Sequence, residues 1–300
     1  MTTATAVSTD IVPSFIEDSW WAPDQQVLDS GNSTRVSDAS TGEVLAVVST
    51  AGLDVGAAVR FARSTGQTEL GKLTFHERAL KLKELAQFLN GHREPLYELS
   101  ARTGATRGDS MVDIDGGIGV LFTFGSKGRR ELPNSQVIVD GPAENLSKDG
   151  SFLGTHIYTR IPGAAVQINA FNFPVWGMLE KLAPAFLAGV PTIVKPATPT
   201  GYLTAAVVKL IVQSNILPKG SLQLISGPAR DLLDHLDYRD LVAFTGSAST
   251  ANHLRSHANV MHGGVRFSPR RTPSTPRSSG PTRCRAPRNS RPSSAPSSPR

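Results

Sequence analysis

Asn172, Lys195 and the Gly246-Ser247 pair each stand where a short apolar run stops and a helical pattern begins. The runs are VQIN, TIV and LVAFT, and LQLIS is a fourth of the same kind. Carboxyl ends of parallel strands are where α/β folds hold their ligands. Asn172 offers a side-chain amide N–H to a developing oxyanion, a donor typically worth about 3 kcal/mol. It equally suits capping a helix that begins at Phe173-Pro174, since proline favours a first turn. Lys195, stopped by Pro196, presents an ammonium to ribose hydroxyls or a phosphate, or simply ends a strand at the surface. Thr198 adds a hydroxyl without negative charge. Gly246-Ser247 leads into a helix near Ser249, whose first amides favour a pyrophosphate; an isolated Gly-Ser is also an ordinary turn. Gly227 lets the backbone pass close to a ligand.

Other chemistry-bearing residues read as structural. His253 and His257 are four residues apart and His262 follows, but no acid or cysteine stands with them at a ligand spacing. They are expected to be surface histidines, and no metal is expected. Gly116, Gly117 and Gly119 lack a preceding strand-turn frame, so they are expected to serve close helix packing rather than a phosphate loop.

The elements that must hold these residues alternate. Strands are predicted over 164–169, 192–195, 222–225 and 242–245, with helices over 174–188, 202–213, 230–236 and 249–254. Such alternation implies a parallel sheet with right-handed crossovers. Residues 12–50 read as short edge strands, with Ser40-Thr41-Gly42 as a turn. FHERALKLKELAQFLNGH carries one broad apolar stripe and reads as an amphipathic helix. Further helices are expected near 96–99 and 112–124. A hairpin or arm is expected near 134–160, where turn formers flank SQVIVD and THIYT.

Composition changes after Phe267. From Ser268 to Arg300, 25 of 33 residues are Ser, Pro or Arg, with no Lys and no acid. Such a segment cannot bury enough surface to offset its ordering entropy, so disorder is expected for 268–300. Its arginines account for the basic balance, because the first 267 residues hold 23 Lys and Arg against 25 Asp and Glu. No specific nucleic-acid partner is therefore expected. Arginine without lysine, mixed with Pro and Ser, is what GC-rich coding sequence yields out of frame, so the reading frame is expected to be lost near Ser268. Cys284 is the single cysteine, which excludes a disulfide framework. The start MTTATAVSTD lacks a basic and an apolar signal region, and no run approaches membrane length, so a soluble, cytoplasmic protein with no membrane partner is expected.

NAFNFPVWG, TIVKPATPT, LPKGSLQLISG and VAFTGSAST, in this order and spacing, resemble four cofactor-domain motifs of the aldehyde dehydrogenase superfamily. ELSARTGATRGDSMVDIDGGIGVLFTF and GRRELP are similar to the dehydrogenase half of the bifunctional ring-opening enzymes of phenylacetate degradation. The resemblance runs from about Ser14 to Phe267. It implies a Rossmann-like α/β cofactor domain with a parallel sheet and N-terminal helices over 1–267, the catalytic domain being absent. It implies oxidation of a small CoA-linked aldehyde to the acid, a homo-oligomer in the full-length family, and NADP as cofactor, with NAD as the alternative. Relatives that prefer NAD often carry a glutamate where Thr198 stands. The resemblance makes Asn172 the oxyanion residue, and it assigns Ile168, Ala170, Lys195, Pro196, Thr198, Gly227, Thr245, Gly246 and Ser247 to the cofactor. The family's nucleophilic cysteine and general-base glutamate follow the stretch that ends VRF here. No cysteine occurs in 1–267 and no glutamate in 268–300, so the 300-residue chain is expected to be inactive.

Overall fold

The apolar runs become the parallel core of a seven-stranded sheet in the computed structural model, which describes residues 10–24, 26, 28 and 31–271. The chain begins with β1 (Asp10–Ile11), β2 (Ser14–Ile16), β3 (Ser19–Trp21), β4 (Thr34–Ser37) and β5 (Val44–Val48). A helical block follows: α1 (Val55–Phe61), a π-helical turn (Ala62–Gly66), α2 (Gln67–Gly71), α3 (Phe75–Gly91), α4 (Glu94–Ala101) and α5 (Arg107–Glu131). Next come β6 (Ile138–Val139), β7 (Glu144–Asn145), β8 (Leu153–Gly154) and β9 (Ile157–Tyr158). The alternating part runs β10 (Ala165–Ile168), α6 (Pro174–Leu187), β11 (Thr192–Lys195), α7 (Gly201–Ser214), β12 (Leu222–Leu224) and β13 (Leu241–Gly246). It closes with α8 (Ala248–Arg255), α9 (Ala258–Met261) and β14 (Arg266–Arg271).

Strand order in the large sheet is β14-β13-β10-β11-β12-β2-β3. The five strands from β14 to β12 are parallel, and the β2–β3 hairpin closes the far edge antiparallel. Glu17 and Asp18 at its tip both have positive φ (51° and 57°), as a two-residue turn that matches strand twist requires. The chain steps outward from β10 to β11 and β12, then crosses back to place β13 on the other side of β10. The order therefore reverses between β10 and β13, which makes that crevice the topological switch point of the sheet.

Packing follows the sequence pattern. Met178, Leu179, Leu182, Ala183 and Phe186 of α6 are fully buried, joined by Leu82, Leu85 and Ala86 of α3 and by Ile114 and Leu121 of α5. Capping boxes at Thr74/Glu77 and Thr106/Asp109 start α3 and α5. The α5 glycines divide. A Cβ at Gly116 would meet the Trp176 ring at 2.6 Å and one at Gly117 the Trp176 Cα at 3.1 Å, so helix packing holds for both; Gly119 has open space beside it.

Two expectations shift. The segment 230–236 forms only a 3-10 turn (Leu232–His235), with Leu232, Leu233 and Leu236 buried. The break placed after Phe267 is too early: β14 carries on through Arg271, pairing Pro269 with Phe244 and Arg270 with Thr245. Phe267 and Pro269 turn partly inward while Arg266, Ser268 and Arg270 face out. This alternation, with proline tolerated on an edge strand, is invisible to a residue count. The remaining expectation of disorder, and Cys284 with it, lies outside the described residues. Residues 138–158 form two short antiparallel ladders, β6 with β9 and β7 with β8. Phe152, Leu153 and Tyr158 there are all more than half exposed.

Candidate cofactor site at the strand ends

Register places the predicted site residues side by side. Ile168, the last residue of β10, pairs with Lys195 on β11 and with Phe244 on β13. Thr245 and Gly246 follow on β13, and Ser247 caps α8 by accepting from the Thr250 amide at 3.2 Å. Its hydroxyl also lies 2.9 Å from Thr250 Oγ1 and 3.0 Å from Ser249 Oγ. Ser247 thus serves the helix start directly.

On the α8 side of the sheet a cleft of about 560 Å³ opens at these ends, lined by Ile168, Lys195, Ala229, Leu232, His253 and Leu254 among others. Lys195 is partly buried; its Nζ donates to the Pro196 carbonyl at 3.2 Å, and burial lowers its pKa below the usual lysine value. Among the described residues no carboxylate lies within ion-pair distance of it. The ammonium thus projects toward a pocket without a counter-charge. Thr198 opens a 3-10 turn (Thr198–Thr200) two residues beyond Pro196 and is partly exposed.

Asn172 is exposed, on the loop between β10 and α6. It is not the helix cap: Phe173 holds that position, and no side chain of the cap residue bonds the helix. The first amides of α6 are instead satisfied from α5. Asp113 accepts from Val175 N at 3.1 Å and from Trp176 N at 2.7 Å. Burial pushes the Asp113 carboxyl up to about 6, against the pull of those two amides. Thr200 Oγ1 donates to the Phe171 carbonyl at 3.0 Å and Thr204 Oγ1 to that of Pro174 at 3.3 Å, so the loop is pinned on both sides of Asn172. The Asn172 side chain is thus exposed on a loop held from both sides.

With Pro228 in the cleft lining, Gly227 adjoins the cleft. Its φ of +133° suits only glycine, and a Cβ there would meet Thr50 Cγ2 at 3.2 Å. The histidines do not share a helix: α8 ends at Arg255, and His257 caps α9 while its Nε2 lies 3.0 Å from Asp234 Oδ1. Among the described residues no group of three or more His, Cys, Asp or Glu is gathered as a metal site.

Three features escaped the sequence reading. Asp113 was legible as an acid inside an apolar helix stripe. His253 and Leu254 needed the fold to bring α8 over β10. Asn169 is a polar residue closing an apolar strand; it is 5% exposed, and neither its Nδ2 nor its Oδ1 has a partner. Thr245 Oγ1 is likewise buried and unpaired. A switch-point crevice, a cleft with an unpaired ammonium, free helix-start amides and orphaned polar atoms together fit a dinucleotide.

Fold and strand-end register thus define an α/β protein with a cleft at the switch point of its parallel sheet. The model of the aldehyde dehydrogenase family matches residues 27–265, and the chain belongs to that family. A 3,4-dehydroadipyl-CoA semialdehyde dehydrogenase of Aromatoleum evansii is 43% identical over 244 residues, covering 81% of this chain and 47% of the relative. A D-glyceraldehyde dehydrogenase (NADP(+)) of Picrophilus torridus is 29% identical over 236 residues, covering 77% of this chain and 45% of its own. The crystal structure of betaine aldehyde dehydrogenase from Staphylococcus aureus in complex with NAD+ shares the fold, with a TM-score of 0.71 at 22% identity, over 89% of this chain and 50% of that one. The chain spans about half the length of these relatives. Among the described residues no helix is long and apolar enough to cross a membrane.

Proposed function

We propose that residues 10–271 are the cofactor-binding part of an NADP-dependent dehydrogenase whose substrate is a CoA-linked semialdehyde of phenylacetate catabolism. The observation that carries the nucleotide reading is the cleft at the strand ends, with the Lys195 ammonium on its wall and no carboxylate within ion-pair distance of it among the described residues. The substrate class leans on the relative from Aromatoleum evansii, named for a CoA semialdehyde. A cytoplasmic homo-oligomer is the expected setting, with the exposed 138–158 ladders at its interface.

Each residue has a stated task. Lys195 and the Thr198 hydroxyl would hold the adenosine ribose and its 2′-phosphate. The amides at Gly246 and Ser247 would receive the pyrophosphate. The Asn172 amide would donate to the aldehyde oxygen as it gains charge. A bound nicotinamide supplies the two-electron acceptor for aldehyde oxidation. With no cysteine in 1–267, the covalent step has no thiolate held by the described fold. A second reading follows: the 300-residue chain binds nucleotide without turning over aldehyde.

Calorimetric titration of the purified chain tests both. NADP+ should bind more tightly than NAD+, and Thr198→Glu should reverse the order by roughly tenfold, the equivalent of about 1.4 kcal/mol. Tighter NAD+ binding by the unaltered chain would refute the reading of Lys195 and Thr198. NADPH formation from a CoA semialdehyde should be undetectable and unchanged by Cys284→Ala. Turnover abolished by that substitution would place Cys284 in the site and overturn the second reading.

A further inference from the structure

A second cavity, of about 500 Å³, lies on the α6 face of the sheet, across from the strand-end cleft. Gln167 and Ala243 line it, whereas Ile168, which points the other way along β10, lines the cleft. Phe75 of α3, Tyr158 of β9, Pro184 and Ala185 of α6 and Leu241 of β13 give it apolar walls, and Arg160 gives it a cation. Small-molecule sites have this size and this make-up, mostly apolar with a few placed polar groups.

Arg160 is not committed to a counter-charge. Its Nε donates to Gln67 Oε1 at 2.9 Å. Gly71 makes room for the guanidinium, since a Cβ there would meet Cζ at 2.8 Å and Nη1 at 3.0 Å. Among the described residues no carboxylate lies within ion-pair distance of Arg160, and no acceptor meets its Nη1 or Nη2. The residue is partly exposed on the cavity wall, so this edge is not sealed in the core.

A second guanidinium adds to the field. Arg78 is fully buried, with Nε and Nη2 unpartnered and its Cζ 4.6 Å from the centroid of the Phe75 ring. Gly189 separates the two arginines: a Cβ there would strike Arg78 Nη1 and meet Arg160 Cδ at 3.4 Å. Burial and then the Arg160 charge bring the Arg78 pKa down to about 10, so it remains a cation at neutral pH. It touches no ligand, yet its charge acts through a medium of low dielectric. The other charges on the wall settle among themselves, for Glu180 meets Lys181 at 3.3 Å and Arg270 at 3.0 Å. Residues 1–9 and 272–300 contain no Asp or Glu, and the latter hold six Arg, so they bring no acidic side chain to Arg160.

We propose that this cavity is a second ligand site, one that takes an apolar monocarboxylate, with the carboxylate on the Nη1–Nη2 edge of Arg160 and the apolar body between Phe75, Pro184 and Leu241. A guanidinium edge matches a carboxylate with two parallel hydrogen bonds. One free edge suits one charge; a polyphosphate would carry charges that the apolar walls cannot meet. The site is independent of the nucleotide reading of the cleft.

Calorimetry on the full chain at neutral pH tests it with phenylbutyrate, with its uncharged amide phenylbutyramide, and with acetate. Phenylbutyrate should bind about tenfold tighter than the amide, and acetate should give no measurable binding. Arg160→Gln should erase the preference for the acid while leaving the amide unchanged. Ala185→Phe, which fills the cavity, should abolish binding of both. Saturation with 2′,5′-ADP should leave phenylbutyrate affinity unaltered. The comparison in the unaltered chain needs no variant to fold: equal affinity for acid and amide, or no binding of either, overturns the proposal. Competition by 2′,5′-ADP, or an acid preference that persists in a folded Arg160→Gln, overturns it as well.

Discussion

The sheet has a filled half and a thin half, divided at the switch point. On one side, β11 and β12 are buried on nearly every residue, with Ile193, Val194 and Leu224 at 0% exposure. On the other, β13 alternates buried and partly exposed residues, and β14 alternates partly and fully exposed ones. Cover is sparse over the thin half. Its α8 side opens into the cleft of about 560 Å³. Its α6 side leaves an apolar cavity of about 500 Å³ along Leu241, Ala243, Pro184 and Ala185. Stability is thus concentrated in β10–β12 with α3, α5 and α6, while the binding edge looks onto the less packed side. A site that must admit a ligand belongs beside strands that can yield slightly without unfolding the core.

The largest test of this contrast is a pair of truncations. Leu224→Ala, in the filled half, should cost about 2–5 kcal/mol of unfolding free energy, since transfer and cavity terms add. Phe267→Ala, on β14, removes a larger side chain yet should cost less than about 2 kcal/mol, because Phe267 is only partly buried. Urea denaturation of both variants measures the difference. Equal losses would show that the thin half is packed as firmly as the other and would remove the physical basis of the division.

The same division explains what the sequence revealed. The runs VQIN, TIV and LQL are buried on both faces, as central parallel strands are, and their predicted bounds match β10, β11 and β12 to within a residue or two. The predicted site residues Ile168 and Lys195, at the ends of β10 and β11, came with them, while Thr245 and Gly246 stand on β13 across from the end of β10. At the thin edge the signal fails. RFSPRR carries a strand alternation of only two partly buried residues, Phe267 and Pro269, which composition masks. Asp113, Thr200 and Thr204 act on the Asn172 loop through contacts between distant segments. Nothing local in VDIDGG or TPTGYLT announces the amide or carbonyl each will meet. Likewise Asn169 reads as a plain strand terminus until its empty hydrogen-bonding atoms are seen.

A second test bears on how the filled half holds the Asn172 loop. Asp113→Ala would leave the Val175 and Trp176 amides without their acceptor, a loss on the order of 2 kcal/mol for buried donors. Asp113→Asn keeps an acceptor without a charge. Burial raises the folded-state pKa of Asp113 from 3.8 to about 6, so the folded chain binds this proton more tightly than the unfolded chain does. The contribution is therefore fully present below about pH 4, declines as pH rises toward about 6, and is flat above. Its span is about 3 kcal/mol, from roughly two pKa units at about 1.4 kcal/mol each. Asp113→Asn should flatten that part of the stability profile and match the unaltered chain, or exceed it, at pH 7. A slope between pH 4 and 6 that survives in the asparagine variant would mean that the carboxyl is ionised in the fold at all these pH values.

The smallest effect is expected at the outermost point of the thin half. Arg270 reaches from β14 to Glu180 on α6, with Nη1 3.0 and 3.2 Å from the two carboxylate oxygens. It is the one ion pair among the described residues that ties the edge strand to the helix layer, and so the natural candidate for what holds β14 in place. Its surroundings argue otherwise. The Arg270 side chain is 73% exposed, and such pairs typically contribute about 0–1 kcal/mol. Glu180 also retains Lys181 at 3.3 Å when Arg270 is removed, so no buried charge is stranded. The ladder to β13, six residues long from Arg266 to Arg271, and the partly buried Phe267 remain intact. Arg270→Ala should therefore change unfolding free energy by less than about 0.5 kcal/mol and show little dependence on salt. A loss several times larger would mean that the edge strand hangs on its charges, and the thin half would then be held by electrostatics where the filled half is held by packing.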